Sequence, residues 1–531
     1  MNTFIKQYII RLGLLAFIAI FLSSCEGLLN KVPVTELVEE IGIKNEADLI
    51  ALTNSAYDAT QWQVIEGAQT HMYPVMFQDI RADNCLSQWA TFWTFGLPFD
   101  DFSQILPNNS NIEGMWRKWF TAVARANTAI EFINSFEGFE TSGLQSRLLA
   151  EAKFVRGFAY FELVKHFGEV PLITNYISST SDQLAIPRAP VADIYAQIEQ
   201  DFLEASKDLP ATYEGADLGR ATSGAALAFL AKAHLYQEEF EDVKTYTEQI
   251  ISSSIYSLEE NFADNWSLEN EYGKESIFEI GYQDGFTNFY FEAPGGETNQ
   301  GSSSYQMFGY IFAGTGVFGN SVPRQELIDL YGENDVRKDA TFIIPENTYE
   351  GRDNSCGCAV NPDCSANFST EGEWLQNSTD IYNYFWTNSE ALCSRATMRK
   401  YDIPTNIAAN LLQTSSSPLN EKVIRYADVL LMHAEASIQA GGNGLVSLNA
   451  VRTRAGLEAL GSYTLDDVKL ERRRELATEG WDRFTDLVRW GDAASALSFK
   501  GFTTGRDEYL PIPQSEIDLV GADVLSQNPG Y

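Results

Sequence analysis

The stretch LLAEAKFVRGFAYFELVKHFG, residues 148–168, constrains the fold more than any other part of this 531-residue chain. Its apolar residues recur at steps of three and four, which is the period of one face of an α-helix. Small residues stand among large aromatic ones: Ala152, Gly157 and Ala159 beside Phe154, Phe158, Tyr160 and Phe161. Because small side chains let helices approach closely while large ones fill the space beside them, this stretch predicts a helix packed against other helices.

Four further stretches have the same period: NEADLIALTNSAYDAT, MWRKWFTAVARANTAIEFI, VADIYAQIEQDFLEASKDLP and AALAFLAKAHLYQEEFEDVKTYTEQII. In the first, Asn45 stands where an N-cap is expected, and Leu49, Leu52, Ala56 and Ala59 form one apolar face. Small-against-large helix pairs are typical of tetratricopeptide repeats, in which neighbouring pairs stack around a shared core. No strict period of about 34 residues is present. The sequence therefore predicts a mostly α-helical scaffold of degenerate, tetratricopeptide-like pairs.

The composition changes between residues 256 and 400, where Gly, Asn, Ser and aromatic residues are frequent and a helical period is confined to RQELIDLYG. Long segments without regular structure are uncommon in compact domains and are more often functional than idle. Helical patterns resume in VIRYADVLLMHAEASIQAGG and LDDVKLERRRELATEGWDRFTDLVRWG. We therefore expect helical regions at 45–255 and 401–531 around a loop-rich middle region, 256–400, preceded by a leader at 1–24 and a lead-in at 25–44.

The leader has the features of a processed export signal. Lys6 and Arg11 precede an apolar run, residues 12–22, which at about 1.5 Å per residue spans about half of a bilayer core about 30 Å thick. The run ends at LSSC, residues 22–25, which resembles the bacterial lipobox, whose cysteine receives a lipid before the peptide is cut ahead of it. The sequence predicts a lipid anchor on Cys25, with an ordinary secretory leader and a retained anchor helix as the alternatives.

Charge and cysteine content restrict the partners and cofactors. The net charge of −36 at pH 7 repels phosphate backbones and argues against nucleic acid as a partner. In addition to Cys25, the chain contains Cys85, Cys356, Cys358, Cys364 and Cys393. In an oxidising compartment these favour one or two loop disulfides of unknown connectivity, with a metal site at CGCAVNPDC and free thiols as alternatives. We expect no cofactor. The sequence allows a structural calcium ion near Asp363, although it contains no complete EF-hand loop.

The usual catalytic motifs are absent from the sequence. It contains no G-x-S-x-G, no H-E-x-x-H and no glycine-rich phosphate loop. The four histidines are His71, His166, His234 and His433, three of them in or beside helical patterns where packing or capping is expected. Since Asp and Glu are abundant, a glycosidase pair of carboxylates stays open. We nevertheless expect a binding protein rather than an enzyme.

Several motifs, taken in order, resemble the SusD/RagB family of Bacteroidetes outer-membrane nutrient-binding lipoproteins: EAKFVRGFAYFELVKHFGEVPLIT, IRYADVLLMHAEA, NAVRTRAG, ERRRELATEGWDRFTDLVRWG and LPIPQSEIDLVGADVLSQNPGY. The resemblance covers nearly the whole mature chain and includes the lipobox. It implies a SusD-like fold, a lipid-anchored position on the outer-membrane surface, and a SusC/RagA-type TonB-dependent transporter as partner. It further implies capture of a glycan or a peptide. Without it, a structural or adhesive repeat scaffold stays open.

The signature ERRRELATEGWDRFTDLVRWG has a physical interpretation of its own. Glu471 with Arg474, and Arg472 with Glu475, are spaced for ion pairs on one helix. An apolar side is supplied by Leu476, Trp481, Phe484, Leu487 and Val488. We interpret the charges as structural pairs rather than as an active site.

Two aromatic clusters are the candidates for ligand binding, because sugar rings pack on flat apolar faces and their hydroxyl groups need polar partners. In the middle region the candidates are Phe289, Tyr290, Tyr305 and Tyr310, interleaved with Asn, Gln and Ser. In QDIRADNCLSQWATFWTF, residues 78–95, they are Arg81, Asp83, Asn84, Trp89 and Trp93. Each cluster is expected to form one wall of a shallow groove, with core packing as the alternative for each ring. Glycan-binding members of the resembled family use loop aromatics from these two regions.

Overall fold

The computed structural model describes residues 43–61, 74–87, 97–178, 186–282, 321–343, 397–400 and 419–531. Helices dominate these residues, as the sequence predicts. The first half holds α1 (Glu46–Asp58), α2 (Ser110–Ser135), α3 (Leu144–Phe167), α4 (Val191–Asp208), α5 (Ser223–Tyr236) and α6 (Phe240–Ser253). The second half holds α7 (Gln325–Ile328), α8 (Arg337–Thr341), α9 (Tyr426–Gln439), α10 (Leu445–Arg454), α11 (Leu465–Leu476), α12 (Arg483–Arg489), α13 (Ala493–Ala496) and α14 (Gln514–Val520).

The predicted leader, Cys25 and most of the lead-in lie outside the described residues. Among the helices that are described, none is both long enough and apolar enough to cross a bilayer.

Consecutive helices pack side by side from α1 to α6, and α6 then packs against α9. This succession confirms the prediction of stacked helix pairs and joins the two helical regions. Asn45 caps α1 as predicted: its side chain accepts the N–H of Asp48, whose carboxylate accepts the N–H of Asn45. The continuous pattern at 225–251 forms two helices, because Glu238 turns the chain between α5 and α6 with a φ of 62°.

Gly157 on α3 shows why small residues alternate with large ones in this helix. A Cβ atom at this position would lie 3.1 Å from the ring of Phe202 on α4, which is tighter than ordinary packing. The Phe202 ring stacks on Phe229 of α5 with 5.5 Å between centroids, and Phe154 and Phe158 pack around Phe229. The small residue thus lets aromatic rings from three helices share one core.

Short antiparallel ladders connect distant parts of the chain. The strands are β1 (Cys85–Ser87), β2 (Val170–Pro171), β3 (Arg188–Ala189), β4 (Ser276–Ile280), β5 (Ser321–Pro323), β6 (Phe342–Ile343), β7 (Thr397–Met398) and β8 (Glu421–Arg425). They pair as β1 with β5, β2 with β3, β4 with β8, and β6 with β7. The β1–β5 ladder fastens the middle region to the N-terminal region, and the β4–β8 ladder fastens it to the C-terminal region.

The signature segment is not the single helix that its spacing predicts. The helix α11 ends at Leu476 and α12 begins at Arg483. Between them Thr478 and Gly480 have left-handed backbones, with φ of 65° and 82°. A Cβ atom on Gly480 would lie 2.8 Å from backbone atoms of Pro74 and Val75. The helix therefore breaks where another segment of the chain packs against its backbone.

The charges of the signature are buried ion pairs, as the structural interpretation predicts, but most partners are distant in sequence. Glu471 and Arg474 approach only to 4.0 Å. Arg472 contacts Asp428 of α9, Asp482 at 3.1 Å and Asp486 at 2.6 Å, rather than the predicted Glu475. Lys232 of α5 joins this group, 2.7 Å from Asp428 and from Asp482. We call these residues the Arg472 hub.

A second group surrounds Arg425 at the end of β8. Its guanidinium contacts Glu275, Glu475 at 3.0 Å and Glu479 at 2.6 Å. Arg454 reaches the same carboxylates, 2.8 Å from Glu275 and 2.5 Å from Glu475. Both central guanidinium groups are 1% exposed, so the Arg425 hub and the Arg472 hub lie inside the protein.

We predict that Gly480→Ala destabilises the protein more than Gly491→Ala. Both glycines have left-handed backbones, with φ of 82° and 72°, so both substitutions introduce about 1–2 kcal/mol of backbone strain. Gly491 has nothing within 4 Å of its Cβ position, whereas Gly480 meets Pro74 and Val75. Overpacking adds roughly 1–3 kcal/mol at Gly480 alone. Urea unfolding of the two variants measures the difference, and equal losses would contradict the close contact.

Candidate ligand-binding site

The β1–β5 ladder brings together the attachment points of the two predicted aromatic segments. Ser87, the last residue of β1, pairs with Ser321, the first residue of β5. The chain leaves Ser87 toward Trp89 and Trp93, and it enters Ser321 from the segment 283–320 that holds Phe289, Tyr290, Tyr305 and Tyr310. All six aromatic residues lie outside the described residues. Their roles stay predictions, but both segments are attached at the same end of one ladder.

Asp100 fastens this end of the ladder. Its carboxylate accepts the N–H of Ser87 at 3.3 Å and lies 2.8 Å from both the Arg324 guanidinium and the Lys500 ammonium group. We call Ser87, Asp100, Ser321, Arg324 and Lys500 the loop anchor. Since Ser87 precedes the 88–96 segment and Asp100 follows it closely, their hydrogen bond closes that segment at its base. The anchor is assembled from three parts of the chain that no local sequence pattern connects.

Arg324 and Lys500 also donate hydrogen bonds to backbone carbonyl groups of residues 80–85. The backbone N–H of Arg324 donates to the carbonyl of Asn84 at 2.8 Å, and its Nε donates to the carbonyl of Cys85 at 3.3 Å. Lys500 donates to the carbonyl of Ile80. Burial lowers the pKa of Lys500 to about 8, against the opposing effect of Asp100. The anchor is therefore a fixed structure.

Arg81 and Asn84, predicted to contact ligand, point into the protein instead. Arg81 is fully buried; its Nη2 donates to the carbonyl of Asp507 at 2.6 Å, and its guanidinium lies 3.8 Å from the ring centroid of Phe484. Asn84 is 1% exposed and donates to Asp79 at 2.8 Å while accepting from Arg473 at 3.0 Å. Because neither side chain reaches the surface, the structure gives both a structural role.

Asp83 is paired with arginines of the signature segment. It accepts two hydrogen bonds from Arg483, at 2.7 and 2.8 Å, and lies 3.2 Å from Arg473. Burial favours the neutral acid, but the hydrogen bonds and charge of Arg483 outweigh it and hold the pKa of Asp83 below its usual value. This carboxylate therefore fastens the segment before β1 to α11 and α12.

A π-helix, Val75–Ile80, completes the base of the site. Such helices are rare and occur frequently at functional sites. The Gln78 side chain accepts the backbone N–H groups of Phe484 and Thr485, at 3.0 and 3.2 Å, and so caps the start of α12. Asp79 accepts from Asn84 and from the N–H of Thr478. Sequence reasoning missed both roles, since nothing in the sequence marks the polar residues Gln78 and Asp79 as buried.

The described histidines are placed as packing or capping groups. His166 is buried in α3, 3.6 Å from Glu162, and burial lowers its pKa to about 4. His433 contacts Ser447 at 2.8 Å. His234 contacts Glu239 at 2.6 Å, with Glu199 nearby. The ligand atoms of Glu199, His234 and Glu239 lie within 4.8 Å of one another, so this surface cluster has the donors for a divalent cation. The predicted calcium position near Asp363 lies outside the described residues.

Cys85 holds a free thiol in the core, where burial raises its pKa above the usual value. It accordingly belongs to the free thiols that the sequence analysis allowed. The cysteines Cys356, Cys358, Cys364 and Cys393 lie outside the described residues, so their disulfides stay a prediction.

We predict that Asp79→Asn stabilises the protein increasingly as the pH rises. Burial raises the pKa of Asp79 to about 6, above about 3.9 for an unfolded chain. The fold favours the neutral acid, so the wild-type protein loses stability as the pH rises from about 4 to 6, by at most about 3 kcal/mol. Asparagine keeps the acceptor oxygen and stays neutral. Urea unfolding at pH 4.5 and 7.5 measures the change.

Asp83→Asn is the matched control, with the opposite sign. The pKa of Asp83 is lowered, so its stabilising contribution is present above the unfolded-state pKa and is lost as the pH falls. Because pH 4.5 and pH 7.5 both lie above the unfolded-state pKa of about 3.9, this variant should be destabilised by nearly the same amount at both, and by less only near pH 3. If the effect of Asp79→Asn did not change with pH, the raised pKa of Asp79 would be contradicted.

Comparisons with known proteins agree with this architecture. A sequence model described as "SusD family" matches residues 266–531, and one described as "Starch-binding associating with outer membrane" matches residues 29–235. The SusD-like protein P38 of Formosa agariphila is 26% identical over 91% of this chain and 92% of its own. The starch-binding protein SusD of Bacteroides thetaiotaomicron is 24% identical over 75% of each chain.

Solved structures show the same fold. A laminarin-binding SusD-like protein has a TM-score of 0.74 and 27% identity, covering 92% of this chain and all of its own. Surface glycan-binding protein A from Bacteroides thetaiotaomicron, in complex with laminarihexaose, has a TM-score of 0.74 and 25% identity, covering 91% of this chain and 99% of its own. With the family model matching the C-terminal half and the fold shared over nearly the whole length, this chain belongs to the SusD family.

Proposed function

We propose that this protein is a cell-surface lipoprotein that binds oligosaccharides or polysaccharides and delivers them to a TonB-dependent outer-membrane transporter without catalysing a reaction. The observation that carries the ligand-binding part is the β1–β5 ladder. It joins the attachment points of two aromatic-rich segments, one holding Trp89 and Trp93 and the other holding Tyr290 and Tyr305. Two aromatic-rich segments that are attached at neighbouring residues can supply the two walls of one groove.

The chemistry of the two segments fits a neutral glycan better than an ionic ligand. Their aromatic residues offer flat apolar faces for sugar rings, and the Asn, Gln and Ser residues between them offer donors and acceptors for hydroxyl groups. The similar solved structures include a protein named for laminarin binding and one solved in complex with laminarihexaose, so laminarin is the first ligand to test. The transporter partner and the lipid anchor rest on the family and on the lipobox.

We predict that Trp89→Ala and Tyr290→Ala each weaken glycan binding while leaving the fold intact. Isothermal titration and affinity electrophoresis with laminarin, starch, xylan and mannan, together with a peptide library, identify the ligand. Loop aromatics have little core to lose, so we expect the melting temperature to fall by no more than a few degrees. Trp119→Ala is the matched comparison, because Trp119 is fully buried in α2 and its truncation should cost about 3–5 kcal/mol.

Three results would overturn parts of this proposal. A large stability loss in Trp89→Ala or Tyr290→Ala would show that the ring belongs to the core. Release of reducing ends from a polysaccharide, abolished by one carboxylate substitution, would show an enzyme. Binding to peptides alone would replace the glycan with a peptide, and failure to bind any ligand while co-purifying with a transporter would leave only a docking role.

We predict that Cys25→Ala abolishes lipid labelling and moves the protein from the membrane fraction to the soluble fraction. Three acyl chains, at about 0.8 kcal/mol per buried CH₂ group, hold a protein on a membrane effectively permanently, and the variant has no attachment site for them. Labelling with a radioactive fatty acid and fractionation measure both effects. Cys85→Ala is the control, because its buried thiol is not in a lipobox. Unchanged membrane retention of Cys25→Ala would refute the lipid anchor.

A further inference from the structure

Phe499 is an exposed aromatic residue held in a rigid position. Among the described residues it is the most exposed aromatic side chain, at 57%, followed by Tyr509 at 37%. It lies in a 3₁₀-helix, Ser498–Lys500, between Leu497 and Lys500, both of which are buried. Because the flanking side chains are fixed in the core, the Phe499 ring is held at the surface. A single exposed apolar residue is ordinary in itself, so its surroundings decide what it means.

Those surroundings are the loop anchor. Cζ of Arg324 lies 4.7 Å from the centroid of the Phe499 ring, and the same guanidinium donates to Asp100 at 2.8 Å. Lys500, the next residue along the chain, lies 2.8 Å from Asp100 as well. Arg324 therefore links the Phe499 ring to Asp100, the residue whose hydrogen bond to Ser87 closes the 88–96 segment. The ring lies beside the base from which both aromatic segments leave.

Arg324 adds a hydrogen-bond donor next to this ring. Its Nε donates to the carbonyl of Cys85 and its Nη2 donates to Asp100, while Nη1 has no protein partner among the described residues. The side chain is 20% exposed. A flat ring beside a fixed guanidinium donor is suited to a pyranose unit, because the ring packs on C–H groups and the donor serves a hydroxyl group.

We propose that Phe499, with Arg324 beside it, forms a sugar-binding platform at the base of the glycan site. This inference rests on the proposed function and adds a third wall, contributed by the C-terminal region rather than by either aromatic segment. The occupant is a pyranose unit of a neutral glycan. Sequence alone does not point to Phe499, because the stretch ALSFKGF shows two phenylalanines in a scaffold region with nothing to place either of them beside the loop anchor.

The test compares Phe499→Ala with the wild-type protein by isothermal titration. Laminarin is the probe. If the wild-type protein does not bind laminarin, the probe is the polysaccharide of the panel above that it binds most tightly. Loss of one stacking face should weaken binding about 5- to 50-fold. Phe499→Trp should keep the affinity and Phe499→Leu should give an intermediate loss, since the flat ring is what matters. Val446→Ala, an exposed apolar residue on α10, should leave it unchanged.

The outcomes separate this inference from the proposed function. If Phe499→Ala binds within twofold of the wild-type protein while Trp89→Ala loses binding, the platform is refuted and the glycan function stands. Weaker co-purification with a transporter, without a change in glycan affinity, would also refute it and make Phe499 a docking residue. If the wild-type protein binds no polysaccharide of the panel, both proposals fail. Circular dichroism of each variant confirms folding, and the Trp and Leu variants keep the test decisive if the Ala variant unfolds.

Discussion

The fold depends on the charges that it buries. Arg425 and Arg472 lie inside the protein, each against three carboxylates, and a buried charge without partners would cost several kcal/mol. The carboxylates come from the segment before β4, from α9, α11 and α12, and from the turn between the last two. Every one of these segments must therefore be in place before the charges are satisfied. Such pairs add little net stability by themselves, but the loss of any one partner leaves the others buried and uncompensated.

The pKa values show how tightly each group is held. Burial opposes ionisation of Glu475, but Arg454, Arg425 and Arg337 outweigh it and keep its pKa well below the usual range. Asp79 lies close by with one buried oxygen that has no hydrogen-bond partner among the described residues, and burial raises its pKa instead. Glu475 thus keeps its charge in acid, whereas the π-helix carries a carboxyl group that the fold prefers to keep neutral.

Local patterns were enough to predict the helices but not the base of the site. The Asn45 cap depends on residues close to it in sequence, and the packing around Gly157 depends on a helical period. Both can therefore be predicted from the sequence. The break at Thr478 and Gly480 has no such signal, because it exists to admit Pro74 and Val75. Sequence alone also does not show whether a polar side chain is buried or exposed. Arg81 and Asn84 stand beside tryptophans in the chain and were predicted to bind ligand, whereas their partners are Asp507, Phe484 and Arg473.

The fixed attachment points of the two aromatic segments matter for affinity. Packing about 100 Å² of apolar surface on one ring contributes roughly 2.5 kcal/mol, and two or three rings must also offset the cost of association. Net affinity is then on the order of micromolar to millimolar, which suits capture and release. Because Asp100 and the β1–β5 ladder hold Ser87 and Ser321 side by side, no binding energy is spent on bringing these two attachment points together. Ser87, Asp100 and Ser321 can therefore raise affinity although none of them is among the proposed sugar contacts.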